Sequence, residues 1–276
     1  MLSDTKLLEL LLDDVWAALP PIKRETSIAS ISLADLGAVH GTWDPDTHEL
    51  KINPTLLRHT PLQVMPLIDA NGESPARIEP WVSRAFHTLA HEIFHGVTEK
   101  TARLEYQSMS GALNESYSDI FGALVSNFDE PDVSKWNWEM GEDLDGTGNP
   151  LRDLSRPSRF GQPEHMRDFL VASPPFDESN DNGHVHSNSG IHNLAAYRVI
   201  VAKDANGGFL FTPTSAAALF YLALTQQLTR RATFGDSRRA VALVARTLFR
   251  NDPEALRQAR LDAIAAAFDS VGIAES

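Results

Sequence analysis

The 276-residue chain contains no cysteine. Disulfides and thiolate metal ligands are therefore excluded, so any metal site must use histidine and carboxylate side chains. Cationic residues are outnumbered as well. The chain has 24 Lys and Arg and 37 Asp and Glu, which gives a formal net charge of −13. An acidic balance of this size argues against nucleic acid as a general partner.

Long apolar runs are missing as well, since no stretch approaches the ~18 apolar residues of a membrane span. Residues 1–14 lack a basic n-region and a cleavage site. We therefore expect no signal peptide and a cytoplasmic protein as encoded, with release by a non-classical route or a truncated start as alternatives. Leucines at helical spacing predict an amphipathic helix from Asp4 to Ala18. The sequence gives no indication of the oligomeric state.

Two histidines four positions apart are the strongest feature that is present. Residues 91–95 read His-Glu-Ile-Phe-His. On an α-helix, positions i and i+4 share a face, so His91 and His95 can direct two ring nitrogens at one ion. Glu92 is rotated away from that pair, beside the coordination position that a water would fill. The pattern predicts a metal site with a general base; the alternative is an amphipathic helix with chance histidines.

Two carboxylates follow in residues 114–119, Asn-Glu-Ser-Tyr-Ser-Asp. Glu115 is predicted to be the third ligand, which completes a His₂Glu shell with one open position. Asp119 lies four residues later on the same helical face and can accept the second ring N–H of His91, a contact that orients metal-binding histidines. A solvated surface acid is the alternative for Asp119.

Several blocks of the chain resemble one known family. Residues 91–122 are similar to the active-site helices of the thermolysin-like metallopeptidases (family M4), and residues 181–191 to the loop that carries the catalytic histidine of that family. Residues 219–229 and 267–273 resemble the helices that close its C-terminal domain. The similarity runs in order from Ile78 to Ile273.

The resemblance implies one catalytic Zn²⁺ ion held by His91, His95 and Glu115. Thermolysin is itself the standard example of this ligand set, so the set is carried over and not worked out from the spacing. The resemblance also implies that Glu92 polarises the bound water and then passes the proton to the leaving amine.

Further residues match positions that face the substrate in the family. The resemblance implies that His186, oriented by Asp181, and Tyr106 donate hydrogen bonds to the oxyanion. It implies that Arg152 holds a backbone carbonyl of the substrate. A core position for Tyr106 and a structural ion pair for Arg152 are the alternatives.

The pocket for the residue after the cleaved bond also has counterparts here. The matching positions are mostly apolar, which predicts a preference for a bulky hydrophobic residue there. They are Thr88, Met140, Leu144 and Leu151.

Other histidines lie near these motifs. His184 and His192 crowd the segment of His186 and could bind a different metal or be ordinary turn residues; the family match leaves them as bystanders. His87 continues the ridge of His91 and His95, but eight residues of straight helix rise about 12 Å. Three ligands in that line cannot surround one ion, so His87 is predicted to lie behind the ligand shell or to face solvent.

The expected fold class is α+β, a two-lobed zincin of the thermolysin type with zinc in the cleft between the lobes. Residues 1–98 would form a small β-containing N-terminal lobe that ends in the HExxH helix, Pro80–Lys100, and residues 99–276 a mainly helical C-terminal lobe. Loops are expected over 129–190. The expected strands are Ser27–Leu33 and Leu50–Asn53 around a turn at Trp43–Thr47, and the expected helices are Ala112–Phe128, Ile191–Ala202, Pro213–Leu228, Ser237–Arg250 and Pro253–Val271.

The segment before His91 is shorter than the usual N-terminal lobe of the family. No segment of this sequence matches the substrate-binding strand of that lobe. Residues 41–43 or 49–53 are the candidates for an edge strand that replaces it.

The paired calcium site of the family also lacks counterparts. Where the family has acids, this chain has His87, Ser126 and Asn137, and only Glu139 and Glu142 remain. Hard cations require several carboxylate or carbonyl oxygens. We therefore expect the paired structural Ca²⁺ site to be absent.

Taken together, these patterns predict a zinc-dependent metalloendopeptidase whose partners are peptide or protein substrates. Two alternatives stay open. One is a zinc-binding, non-catalytic or regulatory member of the same fold, and the other is a zinc amidase that acts on small or cell-wall peptides. Glu92 favours catalysis, because a structural metal site has no use for a base at that position.

Overall fold

The structure is a computed structural model that describes residues 30–33, 41–44, 49–52, 80–127, 130–141 and 149–275. The predicted helix from Asp4 to Ala18 lies outside the described residues, as do Glu142 and Leu144. No helix in the described part of the chain combines the length and the apolar character needed to cross a membrane.

Short strands and longer helices make up the described ranges. The strands are β1 (Ser30–Leu33), β2 (Gly41–Asp44), β3 (Glu49–Ile52), β4 (Glu139–Met140) and β5 (Arg152–Asp153). The α-helices are α1 (Pro80–Lys100), α2 (Ser108–Ser126), α3 (Asp181–Ile200), α4 (Pro213–Gln227), α5 (Phe234–Leu248) and α6 (Glu254–Asp269).

The N-terminal strands form a three-stranded sheet in the order β1-β3-β2. β1 pairs with β3 in parallel, and β2 pairs with β3 antiparallel. β2 also contacts α1, which confirms the expected small sheet against the active-site helix. Among the described strands, β2 therefore lies at an edge of the sheet, whereas Glu49–Ile52 occupies the centre.

The turn predicted over Trp43–Thr47 is wrong at its start. Trp43 and Asp44 are the last two residues of β2 and pair with Leu50 and Glu49. Aromatic and β-branched residues such as Trp43 and its neighbour Thr42 fit the pleated surface of a sheet, and this preference extends the strand.

The helix boundaries follow the predicted ones, with differences that have local causes. α1 begins at Pro80 as predicted, a first position where the missing N–H of proline costs nothing. α5 begins at Phe234 and not at Ser237, because Thr233 and Asp236 form a capping box.

Two other helices also begin earlier than predicted. α2 starts at Ser108 and not at Ala112. The segment 129–190, expected to be loops, contains β4 and β5 and the first part of α3, which starts at Asp181 and not at Ile191.

The centre of the fold is α2, which is buried at every residue from Ser110 to Val125. It contacts α1 and α3, and Phe121 stacks on Phe94 of α1 with ring centroids 3.8 Å apart. A helix enclosed on all sides must satisfy its polar side chains within the protein. Glu115 and Asp119 are both fully buried on this helix, so their partners determine what the site can do.

His87 is also part of this interior. Its side chain is buried and its ring lies against Gly122, where an added Cβ would meet the ring at 2.2 Å. Burial lowers the pKa of His87 to about 3, so the ring is neutral at physiological pH. The solvent-facing alternative for His87 is therefore wrong, and the ring fills the contact between α1 and α2.

Candidate metal centre and active site

Three side chains converge on one point between α1 and α2. The Nε2 atoms of His91 and His95 are 3.0 Å apart. The carboxylate of Glu115 lies 3.6 Å from the first nitrogen and 3.5 Å from the second. Ligands about 2.1 Å from a tetrahedral zinc ion lie about 3.4 Å from one another, so the spacing fits zinc.

The oxygen atoms behind the two rings favour one tautomer of each histidine. His91 Nδ1 lies 2.8 Å from Asp119 Oδ1, and His95 Nδ1 lies 2.9 Å from Asn114 Oδ1. Both oxygens are acceptors, so each neutral ring carries its hydrogen on Nδ1 and presents a bare Nε2. Two nitrogen lone pairs and a carboxylate thus face one point, and a cation is the group that stabilises this arrangement.

The surrounding charges reinforce this preference. Burial by itself raises the pKa of Glu115, but neighbouring imidazoles, led by His186, and the Arg152 guanidinium lower it to about 2. Burial by itself lowers the pKa of His91, but Asp119 and Glu115 outweigh burial and raise this pKa above its usual value. The site therefore holds an ionised carboxylate and favours positive charge beside it.

Asp119 is the most densely bonded acid of the site. Arg152 donates to its two oxygens at 2.8 and 3.0 Å, and Asn193 Nδ2 donates to Oδ2 at 2.8 Å. Burial raises the pKa of Asp119, yet Arg152 and His91 hold it well below its usual value. Asp119 is therefore not a solvated surface acid, and that alternative is wrong. Arg152 does form a buried ion pair with Asp119, as its structural alternative predicted.

Glu92 lies one residue after the first ligand on α1. Its side chain is partly exposed, and its negative charge contributes to the raised pKa of His91. The carboxylate is therefore close to the metal-ligand group without belonging to it, as the spacing predicted.

A second group approaches Glu115 from α3 and from the segment before α2. His186 Nε2 lies 3.2 Å from the Tyr106 hydroxyl and 3.4 Å from Glu115 Oε1, and the hydroxyl donates to that same oxygen. Burial and the charge of Glu115 raise the pKa of Tyr106, so its hydroxyl remains a donor. Tyr106 is 40% exposed, which excludes the core alternative.

Asp181 holds His186 by two contacts. Oδ1 lies 2.5 Å from ring Nδ1, and Oδ2 accepts the backbone N–H of His186 at 3.0 Å. This second bond satisfies the first turn of the regular part of α3, so one carboxylate orients the ring and caps the helix. The predicted partner of His186 is therefore in place.

The backbone between these two residues is left-handed. Asp181, Asn182, Gly183 and His184 have φ values of 52°, 50°, 87° and 63°. An added Cβ at Gly183 would lie 3.1 Å from the backbone nitrogen of Ser108 at the start of α2. The turn therefore needs glycine both for its conformation and for the close approach of α2.

The residues predicted to line the substrate pocket are placed as follows. Leu151 N donates to Met140 O at 2.7 Å beside the β4–β5 ladder, where Leu151 is 49% exposed and Met140 is buried. Thr88 lies on α1, four residues before Glu92, and is half-buried. The lining role of these residues stays a prediction.

The two other histidines of the 181–192 segment do not join the metal-ligand group. His192 is fully buried, with Nδ1 2.7 Å from Ser116 Oγ and Nε2 2.8 Å from Ser237 Oγ. His184 lies in the left-handed turn. Among the described residues, the group of histidines and acids that can hold a metal is His91, His95 and Glu115.

Sequence reasoning missed three amide side chains. Asn114 holds His95, Asn193 holds Asp119, and Gln162 Nε2 donates to the backbone carbonyl of His186 at 2.7 Å. Asn114 could have been found, because a ligating histidine needs an acceptor and Asn114 directly precedes Glu115. The other two come from distant segments, and nothing in their spacing signals the contact.

We predict that Gly183→Ala destabilises the protein, although alanine stabilises an ordinary helix position by about 1 kcal/mol relative to glycine. The left-handed φ costs an alanine about 1–2 kcal/mol, and the contact with Ser108 adds to this cost. Thermal unfolding measures the change. Gly207→Ala is the matched control, because Gly207 has a φ of 85° with nothing within 4 Å of its Cβ position. A smaller loss for Gly183→Ala than for Gly207→Ala would contradict the close approach.

Comparison with known proteins places the chain in a family. The protein-family model for the α-helical domain of thermolysin metallopeptidases matches residues 102–273 of this chain. Bacillolysin of Brevibacillus brevis is 41% identical over 202 residues, which cover 70% of this chain and 34% of the relative. The extracellular elastase of Staphylococcus epidermidis is 39% identical over 207 residues, which cover 73% of this chain and 35% of the relative. The chain thus spans about a third of the length of these relatives.

A solved structure has a similar fold. It is the precursor of protealysin, a metalloproteinase from Serratia proteamaculans, with a TM-score of 0.68 at 24% identity, covering 99% of this chain and 81% of that chain. The expected thermolysin-type fold with a mainly helical C-terminal part is therefore confirmed, while the lobe boundary at residue 98 stays a prediction. On the sequence match over most of its helical part, the chain belongs to the thermolysin metallopeptidase family.

Proposed function

We propose that the protein is a zinc metalloendopeptidase that hydrolyses peptide bonds with a zinc-activated water. The observation that carries the proposal is the convergence of the Nε2 atoms of His91 and His95 and the Glu115 carboxylate on one point, at distances that suit zinc. Membership of a metallopeptidase family supports the same conclusion. His91, His95 and Glu115 would hold the ion.

A zinc ion held by these three residues would supply Lewis acidity to the scissile carbonyl and would lower the pKa of the attacking water to about 7. Glu92, beside the ligand pair, takes the proton from the attacking water. The same carboxylate then delivers that proton to the leaving amine. Asp119 and Asn114 act by holding the two imidazoles in the orientation that presents Nε2.

Negative charge that develops on the carbonyl oxygen needs donors placed in advance. Tyr106 and His186 support this role because their hydroxyl and Nε2 meet at the outer side of Glu115, 3.2 Å from each other. With Nδ1 of His186 against Asp181, donation from Nε2 requires the doubly protonated ring. Arg152 holds the buried acids and, on the family pattern, also a backbone carbonyl of the substrate.

The substrate is proposed to be an extended peptide or protein segment. Among the described strands, β2 lies at an edge of its sheet and contacts α1. A strand at a sheet edge can pair with an extended chain through its backbone groups. We propose that a bulky hydrophobic residue after the scissile bond fits against Met140 and Leu151.

Matched peptides test this preference. A peptide with Phe after the scissile bond is expected to be cleaved about 10-fold or more faster than one with Gly, because a buried aromatic side chain contributes at least 1.5 kcal/mol. The measured quantity is kcat/KM for each peptide. Equal values would contradict the proposed pocket.

We also propose that the protein has no paired calcium site. Arg159 donates to Glu139, and it also donates to Asp153 at 3.1 Å. A guanidinium therefore already neutralises Glu139, one of the two acids that remain there. EGTA at a concentration that leaves zinc bound is therefore expected not to change the Tm. A Tm that falls in EGTA and recovers with added Ca²⁺ would contradict this proposal.

Variants of the proposed base and donor test the reaction itself. Glu92→Gln is expected to lower kcat/KM by about 10²–10⁴-fold, because the water loses its base. His186→Ala is expected to lower it by about 10²–10³-fold, because the oxyanion loses a donor. Peptide cleavage measures both, and metal analysis is expected to find one zinc per chain in each variant.

His184→Asn is the matched control, since asparagine tolerates the left-handed backbone of that turn and His184 lies outside the group of residues that can hold a metal. This control is expected to keep wild-type activity. Cleavage that is unaffected by Glu92→Gln would contradict the proposal. Stoichiometric zinc in a wild type that cleaves no peptide would favour a non-catalytic member of the family, and cleavage restricted to small or cell-wall peptides would favour an amidase.

A further inference from the structure

A chain of buried hydrogen bonds runs from the metal site into the core of α3 and α5. It begins at Asp119, whose Oδ2 accepts from Asn193 Nδ2 at 2.8 Å. A carboxylate can only accept, so this contact fixes the orientation of the Asn193 amide. Oδ1 of Asn193 therefore faces Ser116, whose hydroxyl donates to it at 2.6 Å.

The next link is His192. Ser116 has used its only hydrogen on Asn193, so it must accept from His192 Nδ1–H across 2.7 Å. Burial lowers the pKa of His192 to about 3, and the ring is neutral with a bare Nε2. Ser237 Oγ then donates to Nε2 at 2.8 Å, and Tyr117 donates to Ser237 at 2.9 Å.

Every hydrogen in this chain therefore points toward Asp119. The ring of His192 is enclosed by aromatic side chains, with centroids 5.4 Å from Tyr117, 5.7 Å from Phe234 and 5.8 Å from Phe268. In so apolar an enclosure a hydrogen bond that is lost cannot be replaced by water, so the orientation of each link depends on the next.

The tautomer of His192 decides what Ser116 can do. While the ring donates from Nδ1, it occupies the acceptor side of the Ser116 hydroxyl and directs the hydroxyl hydrogen to Asn193. Without that donor, the hydroxyl is free to turn to a carbonyl of the preceding turn of its own helix, as serine commonly does. Asn193 would then lose the partner that holds its amide against Asp119.

We propose that His192 is a positioning residue of the metal centre, which acts through Ser116 and Asn193 to hold Asp119 and, through Asp119, the zinc ligand His91. The inference rests on the proposed function, because it takes the ion held by His91 to be zinc. It gives a role to a histidine that the family pattern leaves aside.

Two substitutions separate this role from simple packing. In His192→Asn the amide nitrogen can occupy the place of Nδ1 and keep the donor to Ser116, but the acceptor for Ser237 is lost. In His192→Gln the longer side chain reaches the place of Nε2 and keeps the contact with Ser237, but the donor to Ser116 is lost. Both variants remove the same ring.

The experiment is competition of the full-length protein with a chelator, which gives the zinc Kd, together with the Tm of each metal-free protein. Outer contacts of metal ligands commonly account for 10–100-fold in affinity, so His192→Gln is expected to weaken zinc binding about 10-fold, with His192→Asn close to wild type. Equal zinc Kd values for His192→Gln and wild type, or equal losses in the two variants, would overturn the inference.

Val199→Ala controls for general loss of stability, since Val199 is a fully buried apolar residue on the same helix. It is expected to lower the Tm and leave the zinc Kd unchanged; a proportional loss of zinc affinity would overturn the inference.

If the histidine variants do not fold, Ser116→Ala interrupts the same link and keeps the ring, and it is expected to weaken zinc binding to the same extent. Zinc binding without peptide cleavage would contradict the proposed function but would not contradict this inference.

Discussion

The structure depends on keeping two carboxylates ionised inside a helix that is buried on every side. Glu115 and Asp119 are fully enclosed on α2, and an unpaired charge in such a place would be strongly unfavourable. Their partners come from four other parts of the chain: His91 and His95 from α1, Tyr106 from the segment before α2, Arg152 from β5, and His186 and Asn193 from α3. Removing one partner of a buried pair typically costs 3–5 kcal/mol, so the same contacts that shape the site also bind these elements to α2.

α3 has a double role in this arrangement. Its first turn, set by Asp181 and the left-handed backbone around Gly183, brings His186 to the outer side of Glu115. Its middle carries Asn193 and His192, which reach Asp119 from the inner side. One helix thus supplies a group at the open face of the site and the contacts that hold its buried face.

The sequence predicted much of the site because metal ligation requires a small set of side chains at fixed helical spacing. His91 and His95 were found in this way, and Asp119 by its spacing from Glu115. The family resemblance implied the complete ligand set with Glu115 and added His186, Asp181 and Tyr106. The amides Asn193 and Gln162 were missed because an amide serves equally well in turns and on surfaces, whereas Asn114 was missed although its position before Glu115 signals its contact with His95. His87 shows the converse. Its spacing from His91 and His95 excluded it as a ligand of the same ion, but the spacing could not place its ring against Gly122.

By itself, the sequence determined that thiolate ligands are excluded, and it predicted the pair His91 and His95 and most helix boundaries, because these follow from residue type and from interactions within a few positions of the chain. Only the tertiary structure decided the partners of the buried carboxylates, the tautomer of His192 and the place of β2 at the edge of its sheet. These depend on which distant segments meet, and that is set by the packing of α1 and α3 around α2 and not by any local pattern.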